Sequence, residues 1–81
     1  MKTILKNNVT VYSDGFVNVK DLGMVACITL NKQTGLRSLG IRAGFGVVAW
    51  GNPIDFPNNL WHKTDEKKTF IANYLNKEFN L

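Results

Sequence analysis

Cysteine and histidine occur once each in these 81 residues, as Cys27 and His62. One thiol excludes an internal disulfide, and one Cys with one His excludes a Cys/His zinc site within a single chain. No apolar run approaches the roughly 20 residues that a helical membrane span needs, so no membrane partner is expected. The opening MKTILKNNVTV holds only Ile4 and Leu5 before polar residues return, which is no secretory apolar core. A lone thiol inside an apolar strand and the lack of a leader both point to a reducing, cytoplasmic setting. Prolines number two, Pro53 and Pro57, so strong breakers are confined to one stretch.

Catalytic signatures are missing too. A nucleophilic pair would need Cys27 and His62 to meet in space, and their spacing gives no reason for that. Asp14 and Asp21 stand at turns, while Asp65 and Glu66 suit the start of a helix, so no carboxylate pair is set up for acid–base work. Gly40-Ile41-Arg42-Ala43-Gly44-Phe45-Gly46 has glycines but neither the spacing of a dinucleotide loop nor the Lys-Ser/Thr of a phosphate loop. It runs on into Val47 and Val48, which reads as strand. The expectation is a protein without catalytic residues, metal or cofactor. Turnover lost in Cys27→Ala or His62→Ala would revive a small enzyme.

What is present is strand signal. Met24, Ala26, Ile28 and Leu30 alternate with Val25, Cys27 and Thr29, the pattern of a central strand buried on one face and partly covered on the other. Asn31-Lys32-Gln33-Thr34-Gly35 suits a hairpin turn closed by a left-handed glycine. On the return, Leu36, Ser38, Gly40 and Arg42 face one way, and Arg37, Leu39 and Ile41 the other. Val9–Ser13 and Phe16–Lys20 alternate around Ser13-Asp14-Gly15, where Asp-Gly supplies positive φ cheaply. Strands are expected at about 2–6, 9–13, 16–20, 24–30, 36–42 and 45–50. Residues 51–59, with both prolines, read as loop. Thr64 is a plausible N-cap, and Phe70, Ile71, Tyr74, Leu75 and Phe79 form the apolar stripe of a helix over 65–79. The fold class is α+β in one domain, 1–81. It is an antiparallel meander of four to five strands, with one C-terminal amphipathic helix packed on one face.

Charge is unevenly placed. Net charge is +4; residues 1–42 carry six cations against two carboxylates, and residues 43–81 carry four of each. The positive field therefore belongs to the sheet segments. Lys32, Arg37 and Arg42, with Tyr12, Phe16 and Trp61 as stackable rings, have the residue types that hold single-stranded nucleic acid by backbone charge and base stacking. The same residues also suit plain solubility and the blocking of strand edges. Lys63, Lys67 and Lys68 form a second patch at the helix start, where cations oppose the helix dipole.

The chain opens MKTILKNN and carries ten asparagines and eight lysines against two arginines. In size, in this composition and in its basic sheet followed by one helix, it resembles the small accessory proteins of large tailed phages. Those proteins act in host takeover and counter-defence, some by binding RNA and some by mimicking proteins. The resemblance implies a host-cytoplasmic inhibitor and, resting on no motif, assigns no residue a role.

Two functions follow as expectations. The first is a non-catalytic binder of RNA or single-stranded DNA, with inhibition of a host nuclease or defence factor as its extension and phosphate contacts from Lys32, Arg37, Arg42, Lys63, Lys67 and Lys68. The second is a protein–protein inhibitor or homodimeric module, pairing through Gly44–Trp50 and anchored by Phe45, Trp50 or Trp61.

Overall fold

The computed structural model describes residues 3–41 and 53–79. Among these described residues five strands form one antiparallel sheet in chain order: β1 (Val9–Val11), β2 (Phe16–Val19), β3 (Gly23–Leu30), β4 (Arg37–Ile41) and β5 (Ile54–Phe56). One helix follows, α1 (Thr64–Glu78). The architecture is the expected α+β meander with a C-terminal helix.

Registers show why these residues make these strands. Ala26 opposes Ile41, Ile28 opposes Leu39, and Leu39 opposes Ile54 on β5, so one face collects the branched side chains. Val9, Val17 and Val19 continue that face toward β1. The β2–β3 pairing steps from Val17↔Ala26 to Asn18↔Met24, leaving Val25 as an extra residue. This bulge lets two consecutive residues, Val25 and Ala26, both be buried, which strict alternation would forbid.

Onto that face α1 lays Ile71, Ala72, Tyr74 and Leu75, all buried, with Phe70 and Phe79 packed at the margin. Fully burying a side chain such as Ile71 or Leu75 is worth about 1.5–3 kcal/mol, so the stripe is the main attachment of helix to sheet. Phe70 meets Phe56 edge to face at 5.3 Å between ring centres. Burial of the Tyr74 ring, and then the nearby Glu78, raise its phenol above the ordinary tyrosine value.

The turns follow local chemistry. Gly15, Gly23 and Gly35 all have positive φ. At the β3–β4 turn Asn31 Oδ1 accepts the amides of Gln33 and Thr34, and Gly35 N–H closes onto Asn31 C=O at 2.7 Å.

Three expectations change. The sequence suggests a strand over 2–6, but Thr3–Leu5 is irregular and Lys6–Asn8 is a 3-10 turn. Adjacent Ile4 and Leu5 cannot alternate usefully. Ile4 is buried while Leu5 is exposed, and the backbone of Ile4 pairs with a side chain instead of a strand. Asn76 of α1 accepts from its N–H at 2.7 Å and donates to its C=O at 2.9 Å.

The two prolines suggest a loop over 51–59, yet residues 54–56 form β5. Ile54-Asp55-Phe56 alternates, and the prolines at 53 and 57 only bracket the strand, as an edge position tolerates. Thr64 is the first helical residue and Lys63 the cap, with no side-chain cap bond. The strand expected at 45–50, with Arg42, Phe45 and Trp50, lies outside the described residues.

Candidate nucleic-acid interface

A meander puts alternate turns at the same end of the sheet. The β1–β2 turn lies beside Ile28, whose amide donates to Gly15 C=O at 2.7 Å. The β3–β4 turn follows Leu30, which opposes Arg37, and Arg37 in turn opposes Phe56 at the end of β5. The chain then passes through a 3-10 turn, Asn58–Leu60, to Trp61 and the first turn of α1. Residues scattered from 12 to 68 are thus gathered at one end of the molecule.

Arg37 is the centre of this end. Its register places it on the helix-covered face, past the last core pair, where its stem can lie on apolar surface while its head stays wet. The guanidinium carbon stands 4.5 Å from the centre of the Trp61 ring, and Nη1 donates to Asn58 Oδ1 at 3.1 Å. Asn58 is itself fixed, since Nδ2 donates to Gly35 C=O at 2.8 Å.

Lys67 approaches the same ring, its Nζ 4.5 Å from the centroid and donating to Trp61 C=O at 2.9 Å. Each such cation–ring contact contributes about 0.5–2 kcal/mol. Trp61 is half-buried against the core, so its ring supports two cations rather than standing clear.

The electrostatics are those of crowded positive charge. Partial burial, then the charges of Lys68 and Arg37, push the Lys67 ammonium below the ordinary lysine value. Its named contacts, a carbonyl and an indole, are uncharged, as are those of Arg37, so these contacts neutralise neither cation. Lys63 is exposed at the helix cap and offers no acceptor to the first-turn amides, leaving the positive end of the dipole uncapped by a side chain. Asp65 and Glu66 share that turn and offset part of the charge.

Two groups of cations that are far apart in the sequence therefore meet. Arg37 and Lys67 are brought together on Trp61, Lys63 and Lys68 lie on the same turns of α1, and exposed Lys32 sits on the adjoining β3–β4 turn. Asn58, which fixes Arg37, was not picked out from the sequence; its only local signal is its place after Pro57.

A basic open sheet face was expected, and the described strands do not provide one. Opposite the helix, the register places Thr10, Phe16, Asn18, Met24, Cys27, Thr29, Ser38, Gly40 and Asp55. Among these described residues there is no cation and one carboxylate. Strand alternation explains this: Arg37 shares its parity with Leu39 and Ile41 and so belongs to the helix side.

Cys27 is half-buried on the open face, its Sγ 3.9 Å from Thr29 Oγ1. His62 is exposed in the turn into α1, which covers the opposite face, so the two do not form a catalytic pair. Among the described residues no group of three Cys, His, Asp or Glu side chains is placed to hold a metal, and no helix is long and apolar enough to cross a membrane.

No family model, no curated protein and no solved structure matches this chain.

Proposed function

We propose that this protein is a non-catalytic binder of single-stranded nucleic acid, RNA or single-stranded DNA, which it holds at the hairpin end of the sheet. The observation that carries the reading is the convergence of Arg37 and Lys67 on Trp61. Two cations from opposite halves of the chain are kept close against their mutual repulsion, by contacts that leave their charge uncancelled. A polyanion relieves that repulsion, and each phosphate met by a cation releases counterions. Arg37, held in orientation by Asn58, is suited to forked contact with phosphate oxygens. Lys67, Lys63, Lys68 and Lys32 supply point charges around it.

In a cell the role is that of a cytoplasmic accessory protein that occupies nucleic acid or blocks an enzyme acting on it, such as a host nuclease or defence factor. This fits the likeness in size and composition to phage counter-defence proteins.

A second reading has its own support. Leu36 is 61 % exposed and Leu30 44 % exposed, and both neighbour Arg37. Apolar surface around an arginine is also how a protein partner is anchored, so inhibition through a protein–protein contact is the alternative.

Charge reversal separates the two. Arg37→Glu and Lys67→Glu should each weaken oligonucleotide binding about tenfold or more, and each should flatten the salt dependence by roughly 0.7 in slope per lost phosphate contact. Unchanged oligonucleotide affinity in both variants, with folding intact by circular dichroism, would refute the nucleic-acid reading.

A further inference from the structure

The hairpin end has a second feature at its far side. Tyr12 lies just beyond β1 and is 44 % exposed. Its backbone is fixed: its N–H donates to Phe16 C=O and its C=O accepts from Gly15 N–H, both at 2.9 Å. The base of the side chain is therefore fixed in space, and a ring on a rigid support stacks at little entropic cost.

Tyr12 pairs with Phe16 and so shares its open face, whereas Arg37 stands three inter-strand steps away on β4 with the helix-side residues. At about 4.8 Å a step the two are roughly 14 Å apart along the sheet and are joined around its rim. Between them stand Lys32 and Leu36 on the β3–β4 turn, both exposed. The end is also polar in charge. Asp14 is in the same turn, two residues on from Tyr12, with Oδ1 accepting Phe16 N–H at 3.1 Å, while the cations gather on the Trp61 side.

We propose that a single strand lies across the hairpin end, stacking a base on Tyr12 at one side and setting its phosphates on Arg37 and Lys67 at the other. This deepens the nucleic-acid reading and rests on it. The carboxylate beside Tyr12 disfavours phosphate there, so stacking serves that side and charge serves the other. At about 3.4 Å per stacked nucleotide, roughly 14 Å along the sheet takes about four nucleotides. Single strands are preferred to duplex, because paired bases cannot offer a free face to Tyr12.

The test is fluorescence anisotropy with a graded length series of pyrimidine oligonucleotides, as RNA and as DNA, on the full chain. Affinity should climb with length and level off at about four nucleotides. Tyr12→Ala should weaken binding of the longer oligonucleotides about 5- to 150-fold, the range for one lost stacking contact, with the salt slope unchanged. Tyr12→Phe should bind as the parent does, which separates ring stacking from loss of fold. If Tyr12→Ala binds like the parent while Arg37→Glu is impaired, the track is wrong and the nucleic-acid reading stands. If no oligonucleotide binds at low salt, the reading itself fails.

Discussion

A Cβ on Gly15 would run into the carbonyl oxygen of Ile28, and the residue's φ of +95° is one that side-chain-bearing residues rarely adopt. Both constraints act on the join between the first hairpin and β3, where Ile28 N–H meets Gly15 C=O. Gly15→Ala should therefore cost about 1–3 kcal/mol, read as a lower urea midpoint at unchanged slope. The same substitution at Gly35, φ +74° with open space around it, should cost less because only the backbone term remains. The left-handed geometry at both sites was legible beforehand, since Asp-Gly and Asn-x-x-x-Gly encode turns within a few residues. The contact with Ile28 was not, because it crosses to another strand. Asn58 is the same case at the binding end: its partners, Arg37 and Gly35, are more than 20 residues away, and nothing in Pro57-Asn58-Asn59 names them.

Elements were legible where period and length agreed. Phe70, Ile71, Tyr74 and Leu75 share one face at helical spacing, and that face is the one in the core. Alternation in β4 correctly sorted Leu39 and Ile41 from Ser38 and Gly40, whereas in β3 the bulge at Val25 moves Met24 from the side of Ala26 and Ile28 to the open face. It failed at the margins. The prolines around Ile54-Asp55-Phe56 obscured a three-residue edge strand, and Lys2–Lys6 was assigned a strand that the chain replaces with a side-chain clasp. That clasp gives its own prediction. Asn76 copies a strand partner, taking both polar groups of Ile4 in a part-buried setting. Asn76→Ala should cost about 1–3 kcal/mol and expose the Ile4 amide to rapid hydrogen exchange, with amides of β3 slowed as before. Equal loss of protection throughout the sheet would mean that the N-terminal segment is integral to global folding rather than clipped on.

For the molecule as a whole, charge and topology act together. The sequence places cations in two groups far apart in the chain, around residues 32–42 and 63–68, and gives no reason for them to meet. Meander order brings the β3–β4 turn, the end of β5 and the start of α1 to one end, and Trp61 supplies a surface on which Arg37 and Lys67 both rest. The described strands form no basic open face, because parity along β4 puts Arg37 on the helix side, and Arg42 lies outside the described residues. The molecule is thus asymmetric. One end carries concentrated positive charge with a ring at its far margin, and the described part of the open face is nearly neutral.

The central claim is that this end holds single-stranded nucleic acid through phosphate contacts. Its most direct test is the affinity of the unmodified protein for labelled single-stranded RNA, single-stranded DNA and duplex DNA across a salt series. Binding should be micromolar or tighter at low salt and favour single strands. With four or five of the cations engaged, log affinity should fall against log salt with a slope of about −3. Absence of binding to all three at low salt, or binding indifferent to salt, would contradict the claim and leave the exposed leucines around Arg37 as the guide to a protein partner.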